Sequence, residues 1–286
     1  MIVLPAYAKL NLALEVTGRR SSGLHTLESV IVRIDWHDLV AVEPGGDAAI
    51  PSLVIDGGDR LPAGDDNLAV RGAMVAAELA GVAPPSSVWL GKRVPAAAGL
   101  GGGSADAAAA MAAVRSLAGT AAAHIKKDAW TEAAARVGSD VPALLAGGAQ
   151  LVGGAGEVLE PLPTPRLDLV VVIAGASSTA ATFAALQPAE VGDGGRAAAL
   201  AAQLRSGGWL DETLFGSALE AAATRAGASL GAEIAAVRDA VPEMRWHLTG
   251  SGGALFAVSH HAKEAAAIAM QMRGAGRIAR ACRTVG

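Results

Sequence analysis

Pro95-Ala96-Ala97-Ala98-Gly99-Leu100-Gly101-Gly102-Gly103-Ser104-Ala105-Asp106 is the stretch on which the reading of this 286-residue chain turns. Glycine N–H groups approach an anion with no side chain in the way. A helix predicted to open at Ser104 and run to about Leu117 aims its unpaired N–H groups, and the positive end of its dipole, at the same place. That is a phosphate cradle in physical terms, and Ser104 can cap the helix or donate to a phosphate. The stretch lacks the Gly-Lys-Ser/Thr ending of a P-loop and the third glycine of the dinucleotide fingerprint. The plainer meaning is a flexible turn before an Ala-rich helix, which is common in a chain with 36 glycines. Four glycines within 99–103, leading straight into a capped helix, favour the cradle. Asp106 cuts the other way: the dipole favours a carboxylate there, but that carboxylate would repel a phosphate. Either it faces away or a magnesium ion lies between them.

Outward from this loop, residues 2–18 alternate loosely and end in Thr17-Gly18, a strand entering a turn. Residues 29–43 read as two strands or one bent strand, followed by a loop over Pro44-Gly45-Gly46-Asp47. Asp65-Asp66-Asn67 introduces a helix over 67–80 closed by Gly81. Val88-Trp89-Leu90 is a short strand. After the loop, residues 128–137 form a helix with Asp128 as N-cap, and Asp140 caps a further short helix with Pro142 inside its start. Pro161, Pro163 and Pro165 mark a boundary, which divides the chain into domains 1–158 and 159–286. In the second, Leu167–Ala174 is a buried strand, 179–187 a helix and 188–196 a mobile polar loop. Arg245–Leu248 and Leu255–Val258 are strands around a glycine loop, before a helix over 261–273 and a last strand over 277–285. Strands and helices alternate with hairpins in both halves, so the class is α+β.

Composition narrows the function. At 52% hydrophobic and 17% charged the chain is not disordered, and its length suits two domains. A net charge of −4 and a pI near 5.9 give no surface for nucleic acid or anionic membrane. The longest Ala-rich stretch, 105–123, is broken by Asp106 and Arg115, so no transmembrane helix is expected. Met1-Ile2-Val3-Leu4-Pro5 has no basic region, so no signal peptide is read. The single cysteine, Cys282, fits a reducing cytoplasm.

The order of motifs then becomes specific. Ala8-Lys9-Leu10-Asn11-Leu12 opens the chain, followed by Gly23-Leu24-His25-Thr26-Leu27, Asp66-Asn67-Leu68 and Lys92-Arg93-Val94-Pro95. The glycine loop, Gly138-Ser139-Asp140-Val141-Pro142, Gly153–Glu157 and Thr249-Gly250-Ser251-Gly252 complete the series. This arrangement resembles the GHMP kinase superfamily of small-molecule ATP kinases, across nearly the whole chain. The resemblance implies a two-domain fold, an N-terminal nucleotide-binding α/β domain and a C-terminal ferredoxin-like α+β domain. It implies Lys9 and Asp140 as the catalytic pair, with Asp140 accepting the proton of the attacking hydroxyl and Lys9 orienting it. ATP, with Mg2+, would contact Asn67, Lys92, Pro95, Gly99, Leu100, Gly101, Gly102, Gly103, Ser104 and Ala105, and no protein metal site is implied. The branch it most resembles takes a small-molecule substrate with a cytidine diphosphate group, which would touch Asn11, Leu24, His25, Thr179 and Phe183. Family members stack an aromatic on the base where Phe183 stands, and place tyrosine where this chain has Leu24. Two alternatives stay open. One is another small-alcohol kinase, although the Pro-Ala-Thr-Ser-Ala-Asn-like opening of homoserine kinases and the Gly-Glu-His element of mevalonate and galactose kinases do not stand here. The other is a nucleotide-binding regulatory module, which would be expected to lose Lys9 or Asp140.

Overall fold

The structure is a computed structural model and describes residues 1–46, 49–58 and 61–286, so Asp47 of the expected loop lies outside the described residues. Its strands are β1 (Ile2–Arg19), β2 (His25–Glu43), β3 (Ser52–Asp56), β4 (Ser87–Gly91), β5 (Ala149–Gly153), β6 (Val158–Leu162), β7 (Asp168–Ile173), β8 (Gly216–Ser217), β9 (His247–Thr249), β10 (Ala254–Ser259) and β11 (Ala279–Val285). Its helices are α1 (Leu68–Ala80), α2 (Gly102–Ala118), α3 (Thr120–Ala123), α4 (Lys127–Val137), α5 (Val141–Ala146), α6 (Thr179–Ala184), α7 (Gly195–Ser206), α8 (Glu220–Ala226), α9 (Ala228–Ala240) and α10 (Ala262–Gly274). Among the described residues no helix is long and apolar enough to cross a membrane. The elements group into two compact units that interleave along the chain, β1 and β2 each contributing to both.

The first unit comprises Met1–Lys9, Trp36–Ala96 and Gly101–Gly147. The second half of β2 pairs antiparallel with β4, Leu39 to Gly91 through Glu43 to Ser87, and β3 adds to β4 in parallel. Val40, Val42, Val88 and Leu90 bury one face of these strands in a core shared with α1, α2, α4 and α5. The helices meet through alanine: Ala69, Ala73, Ala76 and Ala77 of α1 and Ala107 to Ala110 of α2 are all buried there. Small side chains let the backbones approach closely. A methyl added at Gly72 would lie 2.7 Å from the Ala107 carbonyl oxygen, an overpacking that costs about 1–3 kcal/mol. Trp130 and Met111 fill the remaining volume.

The second unit comprises Leu10–Asp35, Ala97–Leu100 and Gly148–Gly286. Its main sheet runs β11-β7-β10-β9, antiparallel throughout. Numbered from β7, that is order 4-1-3-2, with α10 crossing from β10 to β11: the βαββαβ ferredoxin-like arrangement. Leu169 to Val172 are all fully buried, as in a central strand covered on both faces. Leu230, Ile234 and Val237 of α9 and Ile268, Ala269 and Met272 of α10 pack on Val170, Val172, Leu248 and Leu255. The first half of β2 pairs with β5, and β5 with β6.

Several local readings change. Residues 29–43 belong to one strand that begins earlier, at His25. α4 starts at Lys127 after Lys126, so Asp128 sits in its first turn, where it favours the dipole, and is not the cap. α6 ends at Ala184, short of 187. The 188–196 segment is pinned to the second unit: Gly192 N–H donates to the Val16 carbonyl at 2.8 Å, and the Arg196 guanidinium to that of Leu14 at 2.8 Å. β6 contains Pro161, opposite Gln150 of β5. Proline is tolerated there because, among the described residues, β6 pairs only with β5 and its other side is an edge. The proline cluster thus lies inside the second unit.

Candidate active site

In the first unit, Lys9 is the last residue of β1 to belong to it and is 4% exposed. Its Nζ lies 3.4 Å from Asp140 Oδ2. Asp140 precedes α5 but already has helical dihedrals, φ −86° and ψ −15°, and its side chain caps nothing. A cap needs an extended backbone to turn its oxygen onto the following N–H groups. The expected capping role is therefore absent, and the carboxylate is left for Lys9. Gly101, at φ +67°, supports the lysine from below: a Cβ there would lie 2.9 Å from Lys9 Cγ and 3.1 Å from Cε. The lysine stem occupies the space that only glycine leaves.

Gly101 is also the N-cap of α2, so Ser104 is the third helical residue and not the cap. The N–H groups of Gly102, Gly103 and Ser104 have no partner within the helix by geometry. Ala105 N–H donates to the Gly101 carbonyl at 2.8 Å and its methyl is buried. The Gly102, Gly103 and Ser104 donors thus converge at the positive end of a 17-residue helix.

Lys92 follows β4, and its Nζ lies between two carboxylates, 2.5 Å from Asp38 Oδ2 and 2.6 Å from Asp106 Oδ2. Asp106 therefore faces away from the cradle, into the protein. Burial pushes its carboxyl up to about 7, with Lys92 opposing and Asp38 adding to the rise. Burial opposes the Lys92 charge, but the two carboxylates outweigh it and hold its pKa above the ordinary value. Asp106 Oδ1 is buried with no hydrogen-bond partner among the described residues. Asn67 caps α1, its Oδ1 accepting from Ala69 N–H at 3.0 Å while Nδ2 donates to the Pro62 carbonyl at 3.1 Å. Pro95 is half-buried after Val94. Among the described residues no group of three or more His, Cys, Asp or Glu side chains could hold a metal ion.

In the second unit, Gly99 and Leu100 meet the turn between β9 and β10. A Cβ at Gly99 would lie 2.7 Å from the Gly252 carbonyl oxygen and 2.8 Å from that of Thr249, and Leu100 is buried. Asn11 is buried, its N–H donating to Thr249 Oγ1 at 2.8 Å and its Nδ2 to Ser29 Oγ at 2.7 Å. His25 and Phe183 stack, ring centroids 4.8 Å apart and planes 21° from parallel. Phe183 also packs on Leu14, Val16 and Leu219. Burial, then the nearby Arg19 charge, lower the His25 pKa. Leu24 is 58% exposed. Thr179 Oγ1 and Ser251 Oγ share a hydrogen bond at 2.8 Å, and Thr182 Oγ1 donates to the Ser251 carbonyl at 3.1 Å.

The structure thus brings together Lys9, Asp140 and Gly101 in one unit, and His25 with Phe183 in the other. Asn67 and Lys92 are engaged by protein partners. Sequence reasoning missed Asp38, and it quoted Thr249 and Ser251 as part of a motif without giving either a role. The signal for Asp38 was an acid inside an apolar strand, Asp38 before Leu39-Val40-Ala41-Val42.

Comparison with known proteins shows the family. Residues 67–148 match the GHMP kinases N terminal domain. A 4-diphosphocytidyl-2-C-methyl-D-erythritol kinase from Pelotomaculum thermopropionicum is 35% identical over 94% of this chain and 92% of its own length. One from Rhodopseudomonas palustris is 43% identical over 58% of this chain and 55% of its own length. Among solved structures, a 4-(cytidine 5'-diphospho)-2C-methyl-D-erythritol kinase superposes over 100% of both chains with a TM-score of 0.79 at 31% identity. The mevalonate kinase of Methanococcus jannaschii, at 11% identity and a TM-score of 0.65 over 100% of this chain and 98% of its own, shares the fold.

Proposed function

This chain belongs to the 4-diphosphocytidyl-2-C-methyl-D-erythritol kinases, and we propose on that footing that it moves the γ-phosphoryl group of ATP to the 2-hydroxyl of 4-diphosphocytidyl-2-C-methyl-D-erythritol. The observation that carries the reading is the Lys9–Asp140 pair, with Gly101, the N-cap of α2, packed against the lysine. Asp140 takes the proton of the hydroxyl as its oxygen attacks the γ-phosphorus. The bond from that phosphorus to the bridging oxygen breaks, and ADP leaves. The Lys9 ammonium orients the acceptor and offsets charge on the transferring group. Gly102, Gly103 and Ser104 hold phosphate oxygens with their N–H groups.

Mg2+ usually keeps several waters and is held mainly by substrate phosphates with few protein ligands. The donor set fits that pattern, because Asp106 is committed to Lys92 and only the half-buried Ser104 hydroxyl lies in the first turn of α2. Bound with ATP, the ion would neutralise phosphate charge, with Ser104 as the chain's own ligand. In the second unit, Phe183 and His25 are the proposed platform for cytosine, with Asn11 and Thr179 on the rest of that substrate. Asn67 and Lys92 are the proposed neighbours of the nucleotide in the first. A cytoplasmic location belongs to the same reading, since Cys282 is a buried free thiol.

The test is an assay of the purified chain with ATP and Mg2+ against 4-diphosphocytidyl-2-C-methyl-D-erythritol, homoserine and mevalonate. ADP release is followed, and the phosphorylated position is read by phosphorus NMR. Turnover of the cytidylyl substrate alone, with phosphate on its 2-hydroxyl, is expected. Phosphate on another hydroxyl, or preference for another alcohol, sinks the assignment.

A further inference from the structure

Asp38 is fully buried in the middle of β2, and none of the catalytic steps above uses it. An ionised carboxylate in such a place is costly unless its oxygens are satisfied. They are. One oxygen accepts from the backbone N–H of Arg93 and, at 2.8 Å, from that of Val94. The other is 2.5 Å from Lys92 Nζ. One side chain therefore fixes three successive residues of the segment between β4 and Pro95.

The same lysine carries the connection onward. Its Nζ reaches Asp106, in the fifth residue of α2. The first residue of that helix rests on the same group: a Cβ at Gly102 would lie 3.2 Å from Val94 Cγ1 and 3.7 Å from Asp38 Oδ2. Asp38 thus fastens the chain on the entry side of the glycine loop and, through Lys92, the helix on its exit side. All of these groups lie within the first unit.

We propose that Asp38 is a positioning residue for nucleotide binding: it sets the place of the first turn of α2, where the phosphates of ATP are held, by tying Lys92, Arg93 and Val94 to that helix. The inference rests on the reading of the α2 N-terminus as the phosphate site. Hydrogen bonds to an ionised group are the strong ones, and here they converge on one rigid strand. Lys92 holds the helix through Asp106 Oδ2, at 2.6 Å, so the place of that ammonium, fixed by Asp38, sets the place of the helix.

Asp38→Asn separates this role from a general structural one. Asparagine still accepts from the Arg93 and Val94 N–H groups, but its amide cannot accept from the ammonium at the other position. Misplacement of a binding group by about 1 Å costs up to roughly 10²-fold. The expected result is a rise of about tenfold or more in KM for ATP and in Kd for ADP, measured by calorimetry, with KM for the cytidylyl substrate within about twofold of wild type. Asp38→Glu keeps the charge but moves it by one methylene, and should show the same split, smaller in size. It is the deciding variant if Asp38→Asn fails to fold. A folded variant whose two KM values are unchanged, or rise together, overturns the proposal and leaves Asp38 as core packing. A wild-type chain that binds no ADP overturns the phosphate reading and this inference with it, whereas normal ADP binding by wild type and both variants overturns the inference alone.

Discussion

Gly101→Ala tests how the glycine loop and the catalytic pair depend on each other. Two costs can be read from the structure. The first is backbone strain, because Gly101 is left-handed at φ +67° and alanine pays about 1–2 kcal/mol to stay there. The second is steric. The new methyl would lie 2.9 Å from Lys9 Cγ and 3.1 Å from Cε, against about 3.5–4.0 Å for carbon atoms in good contact. The stem must shift by roughly 0.5–1 Å, which the flexible lysine can do, so the fold should survive. Its Nζ is 3.4 Å from Asp140, and a displacement of about 1 Å in a catalytic group costs up to roughly 10²-fold. We expect kcat to fall about 10- to 100-fold. The melting temperature should fall by about 2–8 °C, from about 2–4 °C per kcal/mol for chains near this size. KM for the cytidylyl substrate should change less than kcat. Steady-state kinetics at saturating ATP, with differential scanning fluorimetry, gives both numbers. A variant that melts lower but keeps wild-type kcat would show that Gly101 does not place the lysine. One that keeps both would refute the geometry outright.

Three further outcomes follow from particular contacts. Asp140→Asn should cost no helix cap, because the Asp140 side chain caps nothing, and should lower the melting temperature only by what the charge opposite Lys9 contributes, while losing about 10²- to 10⁴-fold in kcat; near-normal turnover would remove Asp140 from the chemistry. Phe183→Ala should raise KM for the cytidylyl substrate about 5- to 150-fold, from about 1–3 kcal/mol per stacked base, and leave KM for ATP unchanged. Because Phe183 also packs on Leu14, Val16 and Leu219, some stability goes with it, and equal weakening of both substrates would make it a core residue only. His247 is buried and held neutral, its pKa pushed down from 6.5 to about 4 by burial and then by the Arg245 and Arg238 charges. The unfolded chain therefore takes up the proton first, so its contribution is full above pH 6.5 and is lost as pH falls toward 4. That loss is on the order of 3 kcal/mol. Urea unfolding between pH 7 and 4 should show a slope that His247→Gln flattens, and an unaltered slope would place the acid sensitivity elsewhere.

What the sequence could and could not disclose follows from how each feature is encoded. Lys9 and Asp140 stood out because each belongs to a local motif, Ala8–Leu12 and Gly138–Pro142. The elements were legible where periodicity and punctuation agree: Asn67 and Gly81 bracket α1, and Asn67 does cap it. β6 was hidden by Pro161, which reads as a breaker until the strand is known to be an edge. Leu24 and Ala105 were placed at the site by motif position alone. Leu24 is 58% exposed and Ala105 buried, a difference a motif does not encode, because it fixes backbone order and not where each side chain points.

The direction of Asp106 shows where such reading ends and why. Its position in the first turns of a phosphate-binding helix is unfavourable by local electrostatics, and the sequence offered two remedies, an averted side chain or an intervening cation. The structure supplies a cation from the chain itself, Lys92, held in turn by Asp38 at a separation of 54 residues. Neither partner has a period, a cap signal or a motif linking it to the other; the pairing exists only after β2 and β4 have found their register, Leu39 opposite Gly91. That register places Asp38 one residue before the paired run and Lys92 one residue after it, on the side of the sheet that α2 covers. A charge that looks misplaced on its helix is thus answered by two strands, and the anion site above it depends on a carboxylate that no inspection of the glycine loop would find.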